Sequence, residues 1–170
     1  MYKRQLWLGL VYASMTAVGL VVVDRVGRRS LSLWMLPGAA VSLFVLGGLL
    51  WFGIAGGGRA WPILACLLAF MFFNAGGIQV VGWLTGSEMY PLSVRDAGTS
   101  AQATMVWSSN LLVTASALTL VQCLSTGGAM ALYGLMNVLA FFFVLRFVPE
   151  TAGRSLEEIE GSLRDGSFQP

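Results

Sequence analysis

Five uncharged apolar blocks dominate this chain, and each is about as long as the hydrocarbon layer of a bilayer is thick. They cover residues 6–23, 31–54, 61–86, 98–120 and 128–148, and none holds Asp, Glu, Lys or Arg apart from Arg146 near the end of the last. Roughly 20 apolar residues carry a helix across the hydrocarbon. Inside lipid every backbone N–H and C=O must pair within the structure, which leaves helices or closed barrels. The alternating ten-residue segments of a membrane barrel are absent. In water, five helices apolar on every side would have no polar shell. The expected architecture is an all-α membrane protein with five transmembrane helices over those ranges, followed by a tail over 149–170.

Composition narrows the function classes. Only 11% of the residues are charged, against about a quarter in a soluble domain. The two cysteines, Cys66 and Cys123, sit in apolar stretches and read as small buried side chains rather than a disulfide framework. The chain has no His, and its Cys, Asp and Glu show no metal-ligand spacing, so neither a metal nor another cofactor is expected. The net charge of +2 is too small and scattered for nucleic acid. No nucleophile–base pair or phosphate loop marks an enzyme. Gly56-Gly57-Gly58 falls between two blocks, where a flexible turn accounts for it. The first block follows Tyr2-Lys3-Arg4 but is too long for a signal peptide, and Asp24-Arg25 stands where a cleavage site would be, so it reads as a retained membrane helix.

Orientation follows from the basic residues. Arg25, Arg28, Arg29, Arg95, Arg146, Arg154 and Arg164 fall on one side of a five-span layout, and Lys3, Arg4 and Arg59 on the other. The positive-inside rule puts the C-terminus in the cytoplasm and the N-terminus outside. Lys3-Arg4 at an outer N-terminus runs against that rule. The conflict, with the odd helix count, is expected of part of a larger protein.

Three charged segments share the predicted inner face. The first, Asp24-Arg25-Val26-Gly27-Arg28-Arg29, is a tight basic turn in which Gly27 permits the reversal and Arg28 offers a planar fork to a carboxylate. As a plainer alternative the turn is only a topology anchor. In the second, "GSEMYPLSVRDAG", Glu88 stands at the membrane boundary, where a carboxylate is costly unless paired, and Arg28 or Arg95 could pair with it. Pro91 stops or kinks the helix there. In the third, "RFVPETAGRSLEEIE", Pro149 ends the last span and Ser155 with Glu158 has capping-box spacing, so a short helix is expected in the tail. Together these segments suggest a charge network that locks one state of a moving bundle.

"DRVGRR", "SEMYPLSVR" and "PETAGRSLEEIE", in this order and separated by spans of suitable length, resemble the sugar porter family of the major facilitator superfamily. The resemblance covers essentially the whole chain. It implies that the five spans are helices eight to twelve of a twelve-helix transporter, with the N-terminal half and helix seven not included. It implies that Asp24, Arg28, Arg29, Glu88, Arg95 and Glu150 form a cytoplasmic salt-bridge network that steadies the outward-facing state.

Candidate ligand residues lie on two spans. Gln79 and Trp83 are four apart and share a helical face, while Asn74 is set off that face by its helical angle. Trp107, Asn110 and Thr114 form one stripe on the fourth span. Polar residues in membrane helices also serve simply to bridge helices, and Trp7, Trp34 and Trp61 read as an interfacial belt. The resemblance gives Trp83 and Trp107 a ligand role and matches Asn110 to a family Asn. It also marks departures. The family's G-P-x-P-W stretch is Gln79-Val80-Val81-Gly82-Trp83 here, without its prolines; Val106 replaces a common amide; and Tyr12 stands where Asn is common.

The implied function is part of a secondary transporter that moves a sugar or polyol by alternating access and is proton-coupled when whole. Its partners would be that solute, the lipid bilayer and the N-terminal transporter half, and its location the plasma membrane. No acidic residue lies at midplane depth in the five spans, so the coupling residue is not expected in this chain. Two alternatives stand beside it: a carrier of another small solute, such as an organic acid or drug, and a non-transporting scaffold or split subunit. The midplane stretches contain no Arg or Lys, which favours a neutral ligand.

Overall fold

The computed structural model describes the backbone of residues 2–53, 60–90 and 94–148, and their side chains except those of 2–8, 11, 60 and 85–89. The expected tail helix, Glu150 and the Gly56–Gly58 turn lie outside the described residues. So does the side chain of Glu88.

Helix α1 (Tyr2–Val26) runs into α2 (Arg28–Trp51) with Gly27 alone between them. Gly27 takes φ 93° and ψ 153°, a backbone state closed to most L-residues. Its N–H donates to Val23 O at 3.0 Å and its carbonyl accepts from Leu31 N at 3.0 Å, so one residue closes α1 and opens α2. Helix α2 ends with Gly53 at φ 67°, the left-handed glycine that commonly closes a helix. Pro37 sits inside α2. It removes one backbone donor from the helix, and the Leu33 carbonyl a turn earlier loses that partner.

The third apolar block forms α3 (Ala60–Phe73), a π-helical segment (Asn74–Ile78) and α4 (Gln79–Met89) in succession. Tyr90 turns extended at φ −89°, ψ 129°, the conformation that a following proline, here Pro91, enforces.

The last two apolar blocks were expected as separate helices with a loop over 121–127. Two helical arms follow one another as α5 (Arg95–Phe147, 53 residues), parted by a kink at Ser125, which has φ 65° and ψ 168°. Ser125 Oγ accepts from Gly128 N at 3.4 Å, which makes it the N-cap of the second arm. A side-chain cap replaces the loop. Each arm is longer than the roughly 20 residues that cross the hydrocarbon.

Among the described residues, three helical stretches are long and apolar enough to span a membrane: Arg28–Trp51, Trp61–Leu84 and Arg95–Phe147. Helix α2 is the central one, with 39% of its most apolar stretch buried against 11% for α5. It lies antiparallel to the second arm of α5. Arg29 meets Leu145, Phe44 meets Gly134 and Gly47 meets Gly127, so position rises in one helix as it falls in the other. A Cβ on Gly47 would lie 2.8 Å from Gly127 O, and one on Gly127 only 2.7 Å from Gly47 O, so the two backbones touch directly. This is the small-residue packing of membrane helices. Val23, Leu31, Val80 and Val81 form a buried cluster where α4 sits against the α1–α2 corner. Outward, Met105, Leu111, Leu112 and Leu118 on the first arm of α5 are all about 70% exposed.

Candidate functional site

The π-helical segment rearranges the cavity wall. In an α-helix, five residues turn through about 500°, which leaves Asn74 about 140° away from Gln79. A π-turn closes its hydrogen bonds from i to i+5, so residues five apart come nearly into line. Here that turn is Asn74–Ile78. Asn74 therefore joins Gln79 and Trp83 on one wall, against the angle read from the sequence. Gly76 and Gly77, inside the π-segment, are buried: Gly76 faces the backbone of α1 at Gly19 and Gly77 faces Met35 of α2.

The cavity has a volume of about 410 Å³, within the range of small-molecule sites. Gln79, Gly82 and Trp83 of α4 and Asn74 of the π-segment form one side. Val106, Trp107 and Asn110 of α5 form the other, and Tyr12 of α1 closes the end. A second depression of about 460 Å³ shares Trp107 and Asn110 and extends to Leu111 and Thr114, so the stripe on the fourth span lines both. Trp83 is 42% and Trp107 68% exposed, which leaves their ring faces accessible. Trp34 and Trp61 do not line this cavity and are 77% exposed, as belt residues would be.

Two side-chain bonds set the α4 wall. Gln102 Nε2 of α5 donates to Gly82 O at 2.6 Å. The Tyr12 hydroxyl donates to Gln79 Oε1. In the sequence Tyr12 stands out only as a departure from the family pattern. The available signal was a phenol within an apolar block, which requires a partner for its hydroxyl. The lining carries two aromatic plates, three carboxamides and a phenol, with no formal charge. Carboxamides both donate and accept. The chemistry suits a neutral ligand with several hydroxyls and an apolar face.

At the far end, the charged turn is partly assembled. Arg28 Nη2 lies 3.5 Å from Asp24 Oδ1 across Gly27; Asp24 is 72% exposed, so this bridge adds little stability. Arg29 is placed elsewhere: its Nη2 donates to Leu145 O at 2.9 Å. Leu145 lies in the last turn of α5, where carbonyls lack helical partners. Arg95 starts α5, and its Nε is buried without a partner among the described residues. The pairing of Glu88 and Glu150 with these arginines falls outside the described side chains.

The family model for "Sugar (and other) transporter" matches residues 5–163. The chain belongs to this family. As a member of the sugar porters of the major facilitator superfamily, it is a multi-pass membrane protein and its relatives are transporters rather than enzymes. It is 35% identical to the glucose transporter GlcP of Staphylococcus epidermidis over 93% of this chain and 35% of the relative. It is 37% identical to D-xylose-proton symporter-like 2 of Arabidopsis thaliana, over 90% of this chain and 30% of the relative. The solved structure of the proton:xylose symporter XylE bound to 6-bromo-6-deoxy-D-glucose superposes with a TM-score of 0.82 at 27% identity, over 94% of this chain and 34% of that one. The chain thus spans about a third of the length of the relatives it matches.

Proposed function

We propose that this sugar porter chain forms the C-terminal portion of a transporter for a neutral sugar or polyol, proton-coupled when whole. The observation that carries the substrate class is the uncharged cavity walled by Trp83, Trp107, Asn74, Gln79 and Asn110. An organic anion would leave its charge without a counter-charge on that wall, which costs several kcal/mol in a low-dielectric site. The sugar names of the relatives agree with this class.

In this reading the two arms of α5 are separate crossings, so that α1, α2, the α3–α4 rod and the two arms make five spans corresponding to helices eight to twelve. Residues 1–148 form the bundle and 149–170 a cytoplasmic tail at the plasma membrane. Asp24, Arg28, Arg29, Glu88, Arg95 and Glu150 form the inner charge network that opens as the protein changes state. Arg29 contributes through the end of α5, consistent with its bond to Leu145 O.

The test is sugar binding by the complete gene product across D-glucose, D-xylose and myo-inositol. Replacing Trp83 with Ala is expected to weaken binding by about tenfold, on the scale of a lost aromatic contact and its buried area. Binding of a carboxylated solute in preference to all three would overturn the reading. Vesicles containing only these 170 residues are expected to transport none of them.

A further inference from the structure

One corner of the cavity is aliphatic. Helix α5 follows α4 after the short link over 90–94, so the two run antiparallel. Gln102 fixes their register, because its Nε2 donates to Gly82 O at 2.6 Å. Residues four apart share a helical face. One turn further from the link, α4 therefore presents Ile78 and α5 presents Val106 at the same level. Both line the cavity and both are half-buried. Gly82 lines it beside them, and a Cβ added there would meet nothing within 4 Å, so open space lies over it. The carboxamides flank this corner. Asn110 stands one further turn along α5, and Gln79 lies with Trp83 on the neighbouring stripe of α4. A ligand hydroxyl pressed against the Ile78 and Val106 methyl groups gives up its water and gains no partner. A hydrogen or methyl group on the same carbon keeps the contact without that cost.

We propose that the corner of Ile78, Gly82 and Val106 is a specificity-determining subsite for an apolar edge of the ligand. The site then prefers a deoxy sugar, in which one carbon carries hydrogen where a hexose carries a hydroxyl. The proposal rests on the neutral-sugar reading and narrows it. Groups that cover the ligand from the opposite side do not reach this contact, because the methyl groups fill it.

Binding of D-glucose and of each of its monodeoxy analogues is measured on the complete gene product. At one position the deoxy analogue is expected to bind at least as tightly as D-glucose. At positions facing the carboxamides, loss of the hydroxyl is expected to weaken binding by about tenfold. Val106→Asn places a carboxamide in the corner. It is expected to reverse that one preference, with D-glucose about tenfold tighter than the deoxy analogue, and to leave the order of the other analogues as it was. Ile78→Asn enters the same corner from α4 and is expected to do the same. Val106→Ala keeps the corner apolar and should keep the preference. If no neutral sugar binds, the proposed function fails. If sugars bind but every deoxy analogue is weaker than D-glucose, or if both asparagine variants leave the wild-type order unchanged, the role of this corner alone is overturned.

Discussion

Ser125 shows how much one residue decides. Its φ of 65° and ψ of 168° lie in a region used almost only by glycine, and holding another residue there costs about 1–3 kcal/mol. The side chain offsets part of that cost by capping Gly128 N. Two substitutions separate the effects. Ser125→Gly keeps the backbone state and forfeits only a few tenths of a kcal/mol of capping, so it is expected to raise the thermal midpoint in detergent. Ser125→Ala keeps the strain and loses the cap, so it is expected to be about 1 kcal/mol less stable than wild type. A lower midpoint for the glycine variant than for wild type would refute the strain. Nothing in the sequence singled out Ser125, because serine is common both in loops and at caps. Gly27 was legible, since a reversal between two long apolar blocks requires a residue that tolerates positive φ.

Between elements, close backbone approach sets the packing. Helices α2 and α5 meet at Gly47 and Gly127 with no room for a side chain on either. Gly127→Leu is expected to force the helices apart and cost more than the roughly 1–3 kcal/mol of ordinary overpacking, because the obstruction is backbone rather than a flexible side-chain tip. The check is a fall in the fraction of folded protein extracted, set beside Gly48→Leu, whose added Cβ would meet nothing within 4 Å. The π-segment belongs to the same scale. Gly76 and Gly77 lie inside this segment, but composition does not specify whether a turn closes at i+4 or i+5. That one-residue difference moved Asn74 onto the cavity wall.

The whole molecule is an object built for lipid, and its surface is the place to test that. Leu112 is 70% exposed and lies near the middle of the fourth apolar block. On a water-soluble protein, replacing such a residue with Arg would change stability by about half a kcal/mol or less. At the centre of a membrane helix the same change costs about 2.5–3.5 kcal/mol on insertion scales. Leu112→Arg is therefore expected to cut membrane-inserted yield severely, and unchanged insertion would contradict a lipid-facing α5. The sequence by itself determined that the chain is helical and membrane-embedded, because block length and absence of charge are properties of each segment taken alone. It also pointed to its family through three charged motifs, and it named the aromatic and carboxamide residues that line the cavity. It did not determine the break at Ser125, the shift of Asn74, or the bond between Tyr12 and Gln79. Those depend on which backbone hydrogen bonds slip by one residue and on which side chains from distant spans arrive at the same point, and only the packed helices fix either.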